Sequence, residues 1–420
     1  MGEYSDASAV GFNKTAVMTV IRQLTAGQRQ TLLEESGVSS LEELESLLRQ
    51  HTMRVENYEQ PYMQYAEFRM SKFLLLYVPP ILIIIGTFGN MFAFLVLRRR
   101  SMIKVSTYFY LACLAVADLF VLYVGLLRMW IGELTGMDLQ NQAMWLCKLT
   151  VILGYIASDT AVWIIMAVTV ERFIVVCYPF KANQMCNVLR AKKVILGLVL
   201  LMFAINLHFL WTVESVEEMI DGRNVVYCRA VEPYSALVNE AWPWVDACIY
   251  SFLPFVFIIM LNIMIINQVV KAHNSRERMQ GVSERQKLDG RRQSTEGTKL
   301  TIMLLTVSFS FLITTLPMNV SLIVTTFWNQ MLHDPHKVAK FTLVKSITEL
   351  LMYVNHSMNF FLYCATGKKF RQQIMRLLCQ RESRTTWLSM TDNSPKAKQG
   401  IQNNKDDGIL CFSKSEVTCV

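Results

Sequence analysis

The sequence predicts an all-α protein: a bundle of seven transmembrane helices followed by an amphipathic helix at the membrane interface. Its apolar residues are concentrated in seven long runs, and Lys and Arg follow alternate runs. About 20 apolar residues in helical form span the hydrocarbon core, where only helices and closed barrels satisfy the backbone. The runs are too long for barrel strands. The predicted spans are Phe73–Leu97, Ser106–Ile131, Leu146–Cys177, Ala191–Val213, Trp242–Val269, Lys299–Phe327 and Phe341–Ala365.

The basic residues predict how the bundle is oriented. The chain has 420 residues, is 53% hydrophobic and carries a formal net charge of +8. Lys and Arg cluster after the first, third, fifth and seventh spans, and the alternate loops contain few of them. The positive-inside rule therefore predicts a multi-pass protein with its N-terminus outside. Because the charges are divided among separate loops, we expect contact with anionic membrane lipid and no nucleic-acid binding.

The patterns divide the chain into four regions. These are an extracellular N-terminal segment at 1–72, the bundle at 73–366, an amphipathic helix at 367–380 and a disordered cytoplasmic tail at 381–420. Asn13 stands in an Asn-x-Thr sequon on the outer side, which predicts glycosylation. Leucines that recur among Glu and Gln at 25–49 predict a helical hairpin, with a loosely ordered tail as the alternative. Cys379, at the end of the amphipathic helix, is a palmitoylation candidate.

Two of the ten cysteines fall at predicted outer positions. Cys147 starts the third span, and Cys228 lies in the loop before the fifth span. An oxidising compartment would allow the two to pair, and two unrelated free thiols are the alternative. The sequence has no CxxC pair, so a zinc site is not expected.

Motifs in successive spans carry a family resemblance. They are Gly89-Asn90, Leu114–Asp118, Trp145 with Cys147, Glu171-Arg172-Phe173, Pro254, Phe311 with Pro317, and Asn359-Phe360-Phe361-Leu362-Tyr363. With these motifs the chain resembles the rhodopsin-like family of G-protein-coupled receptors over residues 73–380. Its Asn-Phe-Phe-Leu-Tyr variant and short basic third inner loop are most similar to invertebrate neuropeptide receptors of the FMRFamide and myosuppressin group.

The resemblance implies a plasma-membrane receptor that binds a peptide ligand outside and signals to a heterotrimeric G protein inside. Arrestin and a PDZ-domain protein are further expected partners, since Thr418-Cys419-Val420 fits a PDZ ligand. A non-coupling scaffold or decoy receptor, and a receptor for a non-peptide ligand, are the alternatives. The chain has no catalytic motif, which argues against an enzyme, and no internal repeat, which argues against a transporter.

Three departures from the family pattern keep the non-coupling alternative open. Val199 or a neighbour stands where the family has a tryptophan in the fourth span. The sixth span reads Thr314-Thr315-Leu316-Pro317, and Phe360 replaces the usual proline of the seventh span.

The candidate coupling switch consists of Glu171, Arg172 and Tyr363. A buried guanidinium needs a partner, so we expect Glu171 to hold Arg172 inward at rest. The resemblance implies that released Arg172 meets the C-terminal helix of a G-protein α subunit, and that Tyr363 swings toward it. An arginine that snorkels at the membrane edge is the alternative.

Asp118 lies in the middle of the second span and is a candidate ion ligand. Asn90, Asn355 and Asn359 come from the first and seventh spans and would approach it. Oxygen ligands suit a hard cation, so one hypothesis is an allosteric sodium ion. The other is a neutral Asp118 hydrogen-bonded to the asparagines. Ala161 replaces a serine that often completes the family's sodium site, and no other cofactor is expected.

The ligand site is expected in the outer half of the bundle, where intramembrane charges are functional candidates by default. The candidate ligand-binding residues are Arg128, Tyr155, Asp159, Asp246, Asn319, Lys345 and Glu349. Arg128 and Glu349 are expected to pair, and a peptide with a basic side chain and an amidated C-terminus would compete for them. A purely structural salt bridge is the alternative. Weak alternation at 225–228 predicts a hairpin strand near the entrance.

Overall fold

The computed structural model describes residues 62–220, 223–278, 284–328 and 334–377. The predictions for Asn13, for the segment 25–49, for Cys379 and for the C-terminal tail lie outside these ranges. The chain divides into a unit from Met1 to Gln373, which contains the bundle, and a unit from Ile374 to Val420. Of the second unit the structure describes residues 374–377, which are helical.

Seven long helices follow one another in the described part of the first unit, and each overlaps one predicted span, which confirms the predicted fold class. They are α1 Ala66–Leu97, α2 Ser106–Thr135, α3 Met144–Cys177, α4 Val188–Thr212, α5 from Glu232 to Arg278, α6 Glu284–Trp328 and α7 Pro335–Thr366. Among the described residues, six helices are long and apolar enough to cross a membrane, and α7 is not among the six. Its first half carries Lys337, Lys340, Lys345 and Glu349.

Two helices contain irregular turns, α2 in its C-terminal half and α5 in its N-terminal half. Wide π turns occupy Val121–Leu127 of α2 and both Leu237–Ala241 and Ala247–Phe252 of α5. Pro254 follows the last of these and has no N–H to donate, so the hydrogen-bond ladder shifts beside it. Such turns rotate the residues beyond them, and they favour a functional surface at this end.

The connections between the helices contain the remaining regular structure. They are the turn Leu139–Asn141, the short helix Pro179–Met185, and the strands β1 Val213–Ile220 and β2 Arg223–Ala230. The strands form an antiparallel hairpin in which Ser215 lies opposite Cys228. The strand predicted at 225–228 is therefore confirmed, within a longer hairpin. We call the end of the bundle with this hairpin the outer end, and the opposite end the inner end.

A disulfide joins Cys147 of α3 to Cys228 of β2, which confirms the predicted pairing. The two residues are 81 positions apart in the chain. Closing a loop of this length stabilises a fold by roughly 4–5 kcal/mol in the chain-entropy model. The Cys228 N–H also donates to the Asn141 side chain at 2.9 Å, so β2 is attached to the α2–α3 turn as well as to α3.

Helices α1, α2 and α7 approach one another closely at Gly86. A Cβ atom there would lie 2.5 Å from Leu122 Cδ1 and 2.9 Å from Ser357 Oγ, so only glycine fits. The Ser357 hydroxyl donates to the Leu82 carbonyl at 3.2 Å. This contact places the polar residues of α7 beside α1 and α2 in the middle of the bundle.

Candidate functional site

A cavity of about 290 Å³ opens between α2, α3, α5, α6 and α7 toward the outer end. We call it the outer pocket. Three of the predicted ligand residues line it, namely Arg128, Tyr155 and Asp246. The lining does not include Asp159, Asn319, Lys345 or Glu349. The predicted set is therefore divided between residues on the pocket surface and residues around it.

Aromatic residues build one side of the outer pocket. Tyr155 stacks on Phe209 with 4.9 Å between ring centroids and meets Trp242 edge-on at 6.1 Å. Phe209 and Trp242 are buried, and they belong to the same apolar core as Cys147. The disulfide anchors this core, and Tyr155 packs against it.

Arg128 does not pair with Glu349, so that prediction is wrong. Its Nη1 lies 2.5 Å from Oδ2 of Asp138, in the loop after α2. The chain reverses at Gly136, whose φ of 67° is left-handed backbone that favours glycine. The other carboxylate oxygen of Asp138 accepts from the Gln140 backbone N–H at 3.1 Å. The backbone contact thus positions Asp138 independently of its ion pair with Arg128.

Two carboxylates face one another beside the outer pocket with little compensation. Asp159 is 2% exposed; its Oδ2 accepts from Nδ2 of Asn206 at 3.1 Å, and its Oδ1 has no partner. Asp246 is close enough to repel it electrostatically. Within the described part of the chain, neither carboxylate forms an ion pair with a Lys or Arg. This side of the pocket is suited to a cationic group.

In the middle of the bundle, Asp118 is held by two residues of α7. Nδ1 of His356 lies 2.8 Å from Oδ1 of Asp118, and Nδ2 of Asn359 lies 2.7 Å from Oδ2. Asn90 donates from Nδ2 to the backbone carbonyl of His356 at 2.8 Å. The structure thus brings three of the four residues of the predicted ion site together, but with a histidine among them. Asn355 is buried and forms no hydrogen bond with Asp118.

Near the inner end, Thr107, Glu171 and Arg172 form a buried group that we call the inner triad. Nη2 of Arg172 lies 3.1 Å from Oε1 of Glu171. The Thr107 hydroxyl of α2 accepts from Arg172 and donates to Glu171. Arg172 is only 5% exposed, so it does not snorkel to the membrane edge. The triad ties the end of α3 to the start of α2.

Tyr363 is buried near the inner end of the bundle, but its contacts are with residues outside the inner triad. Its ring packs edge-on against Phe370 at 5.5 Å. Its carbonyl accepts from the Gly367 N–H at 2.8 Å, where α7 ends. The structure records no contact between Tyr363 and Arg172, so the predicted movement of Tyr363 remains a prediction.

A cleft of about 220 Å³ opens at the inner end between α2, α6 and the chain after α7. Tyr108 and Met303 form part of its floor, while Lys299, Lys368 and Lys369 give it a basic rim.

Cys186 lies in the loop after α3, with its Sγ 4.0 Å from the Glu171 carbonyl. Burial raises the pKa of this thiol above its ordinary value.

Four residues of these sites were not singled out from the sequence: Thr107, Asp138, Asn206 and His356. His356 had a usable signal, because an ionisable residue inside a span is a functional candidate by default. Thr107, Asp138 and Asn206 are common polar residues near helix ends, and nothing local predicts their partners.

Comparisons with known proteins agree with this arrangement. The family model described as 7 transmembrane receptor (rhodopsin family) matches residues 89–363. The chain is 26% identical to the FMRFamide receptor of Drosophila melanogaster over 311 residues, which is 71% of this chain and 52% of that protein. It is 31% identical to the thyrotropin-releasing hormone receptor of Gallus gallus over 144 residues, which cover 32% of this chain and 31% of that protein.

A third relative is aligned over more of its own length. The growth hormone secretagogue receptor type 1 of Sus scrofa is 27% identical over 306 residues, 71% of this chain and 78% of that protein. The chain spans about half the length of the fly receptor and about a third of the chicken receptor.

Proposed function

Because this chain belongs to the rhodopsin family of seven-transmembrane receptors, we propose that it is a G-protein-coupled receptor for a peptide with a basic side chain. It is a multi-pass membrane protein, and we place it in the plasma membrane with its N-terminus outside. The observation that carries the ligand proposal is the pair of carboxylates, Asp246 and Asp159, beside the outer pocket.

The charge of the outer pocket selects for a cationic ligand group. Arg128 is already neutralised by Asp138 at 2.5 Å, so it does not compensate Asp246. A buried carboxylate without a cation is costly, and a guanidinium or ammonium group from a ligand would remove that cost. Asp246 lies on the pocket surface and is the proposed direct contact. Asp159 does not line the pocket, but its nearby negative charge adds to the attraction for a cation.

The surroundings of the pocket favour a peptide over a small amine. Gly154 stands where aminergic receptors carry an aspartate, and it also lines the pocket. The β1–β2 hairpin is fastened to α3 by the Cys147–Cys228 disulfide at the same end of the bundle. An extended chain would use such a hairpin and the Tyr155 ring as contact surfaces. The relatives named for FMRFamide and thyrotropin-releasing hormone support this ligand class.

At the inner end, the proposed partner is the C-terminal helix of a G-protein α subunit. The inner triad holds Arg172 in a closed arrangement with Glu171 and Thr107. Ligand binding would separate α3 from α2 and release Arg172 toward the cytosolic partner. Arrestin and a PDZ-domain protein remain predicted partners of the cytoplasmic tail, which lies outside the described residues.

The direct test is a screen of receptor-expressing cells against a library of amidated neuropeptides, with calcium and cyclic AMP as readouts. We expect responses to peptides that contain Arg or Lys and none to the same peptides with citrulline or norleucine at that position. Responses confined to non-basic peptides would refute the cationic contact but not the receptor assignment. Silence across the library at normal surface expression would count against a peptide ligand.

A further inference from the structure

We propose that the site around Asp118 excludes sodium, because His356 supplies from within the chain the contact that the ion would make. The family resemblance implies a sodium ion at Asp118, with asparagines as further ligands. The site is buried in the middle of the bundle: Asp118 is 0% exposed and His356 is 1% exposed. The question is whether the residues present fit an ion.

Both oxygens of Asp118 already lie within hydrogen-bond distance of α7 nitrogen atoms; Asn359 donates, and His356 donates when its ring proton is on Nδ1. His356 Nδ1 lies 2.8 Å from Oδ1, and Asn359 Nδ2 lies 2.7 Å from Oδ2. An N–H group presents the positive end of its dipole to the carboxylate, as an ion would. A sodium ion at Asp118 would therefore meet two donors that repel it, and it would have to displace both.

The remaining oxygen atoms do not complete a ligand set. A hard cation requires several oxygen ligands around it. Asn90 uses its Nδ2 to bond the His356 backbone at 2.8 Å, so its amide is committed to α7. Oδ1 of Asn90 and Oδ1 of Asn359 are buried without a hydrogen-bond partner, but two amide oxygens are fewer than a hard cation requires when neither oxygen of Asp118 is available to it.

Helix α3 also contributes no oxygen where the family often supplies one. Ala161, which is completely buried, stands at the position where the family often has a serine. The adjacent Thr160 lines a separate groove with Lys192 and Val199 and so faces away from Asp118. The carboxylate is thus satisfied by α7 side chains alone, and the link between α2 and α7 is built into the protein.

The experiment measures thermal unfolding of the full-length purified receptor in sodium chloride and in choline chloride at equal ionic strength. An ion that binds only the folded state raises Tm. If the Asp118 site excludes sodium, the wild type should therefore have the same Tm in both salts. A sodium-dependent rise in wild-type Tm that Asp118→Asn abolishes would overturn the proposal. A rise that Asp118→Asn retains would place the ion elsewhere and leave the proposal standing.

Two variants make the role of His356 explicit. His356→Ser removes the imidazole and adds a hydroxyl oxygen, so we expect it to gain a sodium-dependent rise in Tm of a few degrees. His356→Gln is the matched control, because its side-chain amide still donates to Asp118 and should keep the Tm independent of sodium. A His356→Ser protein that folds but ignores sodium would contradict the assignment. The test requires neither the ligand nor G-protein coupling, so it is independent of the proposed function.

Discussion

The two ends of the bundle treat buried charge in opposite ways. At the inner end, Arg172, Glu171 and Thr107 hydrogen-bond to one another, and the arginine and glutamate are almost completely buried. At the outer end, Arg128 is neutralised by a loop residue, while Asp159 and Asp246 have no cationic partner among the described residues. Charges that compensate one another, as at the inner end, stabilise a resting conformation. Carboxylates without a cation, as at the outer end, are suited to bind a ligand of opposite charge.

Breaking the closed end is expected to have the largest effect. Arg172→Ala should abolish G-protein signalling while the receptor still reaches the surface, because the group that would meet the G protein is lost. The variant leaves Glu171 buried without its cation, at a cost of about 3–5 kcal/mol. Calcium and cyclic AMP responses must therefore be compared at equal surface expression. Arg190→Ala, at an exposed arginine of α4, is the control, and full signalling by Arg172→Ala would contradict the model.

Removing charge at the open end is expected to be the next largest effect. Asp246→Asn should lower agonist affinity roughly 10- to 100-fold, since a hydrogen bond to a charged group is worth about 1.5–3 kcal/mol. Competition binding measures this directly. Glu240→Gln changes an exposed carboxylate earlier in α5 and should bind normally. Equal losses in both variants would mean that general electrostatic attraction, and not a contact at Asp246, binds the ligand.

The inner triad can also be loosened without removing a charge. Thr107→Val deletes the hydroxyl that joins Arg172 to Glu171, so we expect basal signalling to rise several-fold, consistent with a hydrogen bond worth about 0.5–1.5 kcal/mol. Thr107→Ser keeps the hydroxyl and should preserve the basal level. Unchanged ligand-free signalling in Thr107→Val, measured at matched expression, would show that the hydroxyl does not stabilise the resting state.

The smallest expected effect concerns the partner of Arg128. Both side chains of the Arg128–Asp138 pair are about 30% exposed, and pairs of this kind are worth about 0.2–1 kcal/mol. A double-mutant cycle of Arg128→Gln with Asp138→Asn should show this coupling in ligand affinity. The same cycle with Glu349→Gln should show less coupling, because Glu349 forms no ion pair with Arg128 and interacts with it only at longer range. The reverse result would restore the pairing expected from the sequence.

These differences explain which parts of the molecule were accessible to sequence reasoning. The seven helices follow from runs of apolar residues, because the bilayer requires a minimum helix length and backbone hydrogen bonding within each run. Glu171 and Arg172 are adjacent at the end of a span, so the sequence could suggest them as a pair, but neighbours on a helix do not face each other and Thr107 of α2 completes their contact. The Cys147–Cys228 pairing was predicted from the positions of both residues at the same end of the bundle.

The partners of the other charges depend on turns and on helix packing that the local sequence does not reveal. Asp138 reaches Arg128 because the chain reverses at Gly136, and His356 reaches Asp118 because Gly86 lets α7 approach α1 and α2. A pattern of apolar residues indicates that a helix is buried but not which polar side chains on two helices lie at the same depth. Residue types and spacing thus specify the helices and the local pairs, whereas close packing assigns the long-range contacts of each buried charge.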